Sequence, residues 1–75
     1  MEEMKEVVYN TLKVWRAKKN ITQGELADFV GLSRQTINAI ETKKYIPTVL
    51  SALKISKFFD TNLENIFFLE EQIYD

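Results

Sequence analysis

Apolar residues recur at helical spacing over most of this chain, and the polar residues between them mark where each helix starts and stops. From Thr22 to Glu41 the chain reads TQGELADFVGLSRQTINAIE. Thr22 and Ser33 are helix-capping residue types, and each directly precedes apolar residues at helical spacing. Two helices are therefore predicted to begin eleven residues apart. In the first, Leu26, Ala27 and Val30 share one face, and Glu25 stands three residues after Thr22 as the second half of a capping box. Gly31 ends that helix, because glycine enters the left-handed backbone region without steric cost, and Leu32 can fold back onto the turn. In the second helix Ile37 and Ile40 point inward, leaving Arg34, Gln35, Thr36 and Asn38 outward.

The same pattern organises the flanks. A first helix runs from a cap at Asn10 to about Asn20, with Leu12, Trp15 and Val8 on its buried side and Arg16, Lys18 and Lys19 in its later turns. A fourth follows Pro47 and Thr48, with Val49, Ala52, Leu53, Ser56 and Phe59 at the spacing of an inward face. A short fifth starts near Asn62 and carries Leu63, Ile66 and Phe67. Residues 1–5 read as a frayed acidic start. Val7 to Tyr9 and Phe67 to Leu69 are short, β-prone and lie at the two ends of the domain, so they are expected to pair as a small antiparallel sheet. With no linker or repeat, the economical division is one domain over residues 1–75, with its core in 10–67 and a tail in 68–75. That tail, reading on from Phe67 through Tyr74, is more apolar than a small monomer leaves in water. It either caps the chain's own core or packs against a second copy. The favoured reading is an isologous homodimer contact built from Ile66, Phe67, Phe68, Leu69, Ile73 and Tyr74.

Composition narrows the chemistry. Seventy-five residues form one small domain, and with 45% apolar residues, five Phe, three Tyr and one Trp they can build a real core. The chain contains neither Cys nor His. A disulfide, a thiolate metal site, a catalytic thiol and an imidazole base are excluded, and no carboxylate pair stands at a spacing that would serve an enzyme. No cofactor, metal or small-molecule ligand is expected. The acidic N-terminus and the lack of a long apolar run speak against a signal peptide or a membrane span, which leaves the cytoplasm as the expected location.

A net charge of -1 looks wrong for a partner made of phosphates. The distribution answers the objection. Residues 10–59 hold nine Lys and Arg against Glu25, Asp28 and Glu41, a net of +6, while residues 1–9 carry -2 and residues 60–75 carry -5. Phosphate binding responds to the field within about one Debye length, ~8–10 Å in ordinary salt, so segregated acidic ends do not prevent it. The outward residues of the second helix carry cationic-fork, amide and hydroxyl groups, the chemistries that match guanine, adenine and thymine edges in a major groove.

The segment resembles the Cro/repressor type of helix-turn-helix, the xenobiotic-response-element-like family of bacterial and phage regulators. The resemblance runs from Lys13 to Phe67 and includes the TQxELA-like stretch, the glycine turn, the SRQTI helix, its IE ending and the YxP loop. It implies an all-α, five-helix, lambda-repressor-like DNA-binding domain. By the same resemblance the chain is a transcriptional regulator, a repressor that binds double-stranded operator DNA as a homodimer. Base contacts are expected from Arg34, Gln35, Thr36 and Asn38 on a recognition helix spanning residues 34–43. Backbone contacts are expected from Gln23, Ser33, Lys43, Lys44 and Tyr45. The family's pairing of an arginine with the glutamate that ends the recognition helix falls here on Arg16 and Glu41, as a structural ion pair. Two positions depart from the pattern: Lys43 stands where many relatives have glycine, and Gly24 weakens the first turn of its helix. The alternative is a protein-interaction module, antitoxin-like or an anti-repressor partner, that kept the fold without binding DNA.

Overall fold

Three helices begin on a hydroxyl that accepts a backbone N–H of their own first turn. Thr22 accepts from Glu25, Ser33 from Thr36 and Thr48 from Ser51, opening α2 (Gln23–Val30), α3 (Arg34–Glu41) and α4 (Val49–Phe58). The computed structural model describes residues 7–69, so the expectations placed on residues 1–5, Ile73 and Tyr74 lie outside the described residues. α1 (Leu12–Lys19) is capped from further back: Thr11 makes no side-chain cap, and Asn10 Oδ1 accepts Leu12 N at 3.1 Å. The other end of the Asn10 side chain donates from Nδ2 to Ile40 O at 2.9 Å, tying the start of the bundle to the end of α3. Beside the helices, β1 (Tyr9–Asn10) pairs antiparallel with β2 (Phe67–Phe68), Tyr9 opposite Phe68 and Asn10 opposite Phe67.

The core is a single cluster in which Leu12, Leu26, Ile37, Ile40, Ile55 and Ile66 lose essentially all solvent contact. Each such side chain stabilises the fold by ~1.5–3 kcal/mol relative to leaving it in water. Trp15, Val8 and Leu32 pack against the cluster as partly buried neighbours. The turn between α2 and α3 follows its sequence closely. Gly31 adopts φ 72°, and Leu32 N donates to Ala27 O at 2.9 Å across it. A Cβ at Gly31 would meet nothing within 4 Å, so Gly31→Ala costs only backbone strain, about 1–2 kcal/mol. Urea denaturation of that variant should show a correspondingly earlier midpoint; an unshifted curve would mean that the turn can relax.

Several elements differ from the sequence reading, the strands among them: the paired residues are Tyr9–Asn10 and Phe67–Phe68, not Val7 to Tyr9 and Phe67 to Leu69. Among the described residues there are four α-helices and not five: the expected fifth is a single 3-10 turn, Leu63–Asn65. Asn62 makes no side-chain cap bond there, and two residues past the turn Phe67 is already paired with β1, so the chain has no room for a second helical turn. α3 stops at Glu41, because Lys43 takes the left-handed conformation at φ 63° and Lys44 N closes back on Ala39 O at 2.9 Å. α4 is rolled away from the expected face. Ala52, Ser56 and Phe59 are buried together with Ile55, which completes an i, i+3, i+4, i+7 stripe, whereas Val49 and Leu53 lie in solvent.

Candidate nucleic-acid interface

α3 presents its polar face because Ile37 and Ile40 lock its roll against the core. Arg34, Gln35 and Asn38 are exposed and Thr36 is half-buried. Among the described residues, Arg34 and Gln35 enter no side-chain hydrogen bond, so the guanidinium fork and the amide are both available. Thr36 is committed differently. Its hydroxyl shares a 2.8 Å hydrogen bond with Ser33 Oγ, which also accepts Thr36 N at 3.1 Å. The cap spends one of the two hydroxyl protons, so the other O–H and the Thr36 methyl remain to meet DNA.

Behind this face runs a polar chain that sequence reasoning did not find as a unit. Gln23 Nε2 donates to Asn38 Oδ1 and to Glu41 Oε1, each at 3.1 Å. Glu41 in turn accepts Arg16 Nε at 2.7 Å and Arg16 Nη2 at 3.1 Å, a two-pronged ion pair almost out of solvent. Arg16 Nη1 is held by Ile21 O at 3.0 Å. The hydrogen bonds to the Glu41 carboxylate raise the Arg16 pKa above its ordinary value and Coulomb attraction adds to them, while burial opposes both. The chain thus connects α1, α2 and α3 and orients the side chains of Gln23 and Asn38 at the surface. Its only signal in the sequence was the family pairing of Arg16 with Glu41.

Two shallow clefts flank the α3 face. One is lined by Gln23, Arg34, Gln35 and Asn38; the other by Arg16, Asn20, Ile21, Thr22, Gln23, Gly24 and Arg34. Gln23 and Arg34 belong to both. The second cleft lies at the amino end of α2, where unpaired backbone N–H groups and a guanidinium favour an anion. Gly24 is not required for close approach there, since an added Cβ would sit at an ordinary 3.8 Å from Thr22 Oγ1. Past α3, Lys44 and Tyr45 are exposed, while the Lys43 ammonium lies 5.1 Å from the centre of the Tyr9 ring.

The basic residues are not all gathered at α3. Arg34, Lys43 and Lys44 lie on or just past α3. Lys18 and Lys19 sit over the rings of Trp15 and Phe58, and Lys54 and Lys57 line a separate groove with Asp28, Phe29, Val30, Gly31 and Phe58. The residues expected at a subunit contact differ in exposure. Ile66 and Phe67 are buried in the chain's own core, where Thr11 N and Ile66 O bond at 2.9 Å, so neither has a surface to give a second copy. Phe68 is half-buried and Leu69 exposed.

A helix-turn-helix family model matches residues 12–66. An uncharacterized HTH-type transcriptional regulator of Methanocaldococcus jannaschii is 52% identical over 62 residues, which cover 83% of this chain and 94% of that protein. The HTH-type regulator YgzD of Bacillus subtilis, also uncharacterized, is 44% identical over 63 residues, covering 84% of this chain and 96% of its own. In three dimensions the chain is similar to the P22 c2 repressor in its complex with a synthetic operator, with a TM-score of 0.68 and 26% identity over 71% of this chain and 80% of the repressor. With the model match spanning most of its length and relatives this close, the chain belongs to the helix-turn-helix family of Cro/repressor-type transcriptional regulators.

Proposed function

We propose that the chain is a sequence-specific DNA-binding regulator, a repressor that binds an inverted-repeat operator as a homodimer in the cytoplasm. The observation that carries this reading is the pair of groups unengaged among the described residues, the Arg34 fork and the Gln35 amide, on a capped helix whose roll is set by Ile37 and Ile40 and whose end is tied down by the Arg16–Glu41–Gln23 chain. The P22 c2 repressor, with a similar fold, is seen on an operator. Arg34 and Gln35 enter the major groove and read guanine and adenine edges, with Asn38 Nδ2 and the Thr36 methyl as lesser readers. Gln23, Ser33, Lys43, Lys44 and Tyr45 set the register through phosphates. The half-sites lie about one turn apart, ~34 Å. The protein is not an enzyme and uses no cofactor or metal.

Selection of bound duplexes from a random pool tests this directly. The expected result is enrichment of an inverted repeat, with affinity that falls as salt rises by ~0.9 log units per decade of salt for each phosphate neutralised. A selected pool indistinguishable from the input would defeat the proposal. One observation favours the alternative interaction module: Phe29 is 65% exposed, stacked on Phe58 at 4.9 Å in the groove rimmed by Lys54 and Lys57. On that reading the wild-type protein would retard no duplex at low salt.

A further inference from the structure

Glu41 has only acceptor oxygens to offer Gln23, and that fixes the orientation of two amides in turn. A carboxylate paired with a guanidinium accepts hydrogen bonds and gives none, so the Gln23 atom facing Glu41 Oε1 at 3.1 Å is the amide nitrogen Nε2. The other proton of that nitrogen goes to Asn38 Oδ1, also at 3.1 Å. Both side-chain protons of Gln23 are then committed, and Asn38 is held with its oxygen toward Gln23. What Asn38 shows to solvent is Nδ2, with both protons unpartnered among the described residues. Gln35, three residues earlier on the same helix, has no such tie and can present oxygen and nitrogen together.

We infer that Asn38 is a donor-only reader, oriented by Glu41 through Gln23, and that it selects guanine and rejects adenine in the operator. The inference rests on the operator-binding reading above and deepens it. In the major groove guanine sets two acceptors side by side, N7 and O6, whereas adenine pairs the N7 acceptor with the N6 donor. An asparagine free to turn matches adenine with both ends of its amide. Here the oxygen is held by Gln23, so adenine N6 would meet a second donor, while guanine accepts both Nδ2 protons. Thymine offers one acceptor at O4, and cytosine only a donor at N4. Guanine is therefore the one base that uses the whole group. Turning Asn38 over would bring its N–H groups against those of Gln23 and leave a half-buried donor unpaired. The same bonds narrow the part played by Gln23. With both side-chain protons committed, it meets a phosphate through its backbone N–H in the first turn of α2, and its side chain is a positioning group for Asn38.

The test is competition binding of the full chain to the selected duplex with all four bases placed in turn at each half-site position, for wild type, Asn38→Ala, Gln23→Met and Asn38→Asp. The position whose preference Asn38→Ala abolishes is the one Asn38 reads. There the wild type should favour guanine over adenine by ~10-fold. Gln23→Met frees the Asn38 oxygen, so guanine and adenine should come within about threefold of each other, with the other positions unchanged. Asn38→Asp still accepts from Gln23 but turns an acceptor outward, and its preference should move to cytosine N4. Each ratio is taken within one variant, so a loss of stability cancels; if Gln23→Met does not fold, Asn38→Asp decides. A wild-type preference for adenine at that position, a guanine-to-adenine ratio unmoved by Gln23→Met, or no position flattened by Asn38→Ala would each overturn the inference while leaving the operator reading intact. A second readout needs no DNA: by nuclear magnetic resonance the side-chain amide protons of Gln23 should exchange with water ~10-fold more slowly than those of Asn38, and the reverse order would overturn the inference by itself. A wild type that retards no duplex although its amide protons behave as expected would remove the operator reading, and the guanine preference with it.

Discussion

Glu41→Ala lowers the stability of the fold by ~3–5 kcal/mol, several times the ~0.2–1 kcal/mol of an exposed ion pair. The reason lies in what is left behind. The carboxylate is the acceptor for Arg16 Nε, Arg16 Nη2 and Gln23 Nε2, and its side chain is only 6% exposed against 15% for that of Arg16. Without it a guanidinium remains in a site nearly closed to water. Swinging Arg16 out would also break its bond to Ile21 O. For a domain of 75 residues, whose total stability is of order 4–11 kcal/mol, the loss is a large fraction of what holds it folded. Urea denaturation should show the midpoint collapse in Glu41→Ala and partly recover in Glu41→Gln, which keeps an acceptor. Arg16→Met combined with Glu41→Leu should recover most of the remainder, since no charge is then stranded. A Glu41→Ala curve within about 0.5 kcal/mol of wild type would refute the account. Because the Arg16 pKa is raised on folding, its contribution is complete below the ordinary guanidinium value and is lost only as pH climbs past the raised one. The Arg16 side of the pair is therefore constant across neutral pH.

How much of this could be read from residues alone depended on how local the cause was. Thr22, Ser33 and Thr48 each act on a backbone N–H three residues away, so residue type and spacing were enough to place three helix starts. Gly31 was legible for the same reason. Where the cause is tertiary, the sequence misled. Val49, Leu50, Leu53 and Ile55 are all apolar and all on α4, and only the position of α2 and the 3-10 turn decides that Ile55 goes in while the others stay out. Leu63 to Phe67 has helical spacing, but pairing of Phe67 with Asn10 competes for the same backbone and wins. The hydrogen-bonded chain behind α3 joins residues 15 to 25 positions apart, a separation at which no periodicity survives. For that region only the resemblance to a known family gave warning, and it gave two residues of the four.

Gln35→Ala and Lys44→Ala should separate reading from holding on the interface itself. The Gln35 amide is exposed on the first turn of α3 and unengaged among the described residues, so its loss leaves the fold untouched and deletes one bidentate partner for adenine N6 and N7. Binding to the selected operator should weaken by ~1–3 kcal/mol, roughly 5- to 150-fold, while binding to random duplex stays within twofold, because phosphates carry the non-specific part. Lys44 follows α3 in an exposed loop and can offer only a point charge. Its removal should weaken both duplexes alike and reduce the salt slope by about one unit per subunit. The comparison is sharp because stability is not in play at either position, in contrast to Gln23 and Asn38, whose removal would also disturb the bracing of Glu41. Titrations of the two variants on both duplexes at two salt concentrations give all the required ratios. Equal losses on specific and random DNA for Gln35→Ala would take Gln35 out of the base-reading role and leave Arg34 as the principal reader. A Lys44→Ala variant with an unchanged salt slope would move the phosphate clamp to the cleft between Gln23 and Arg34.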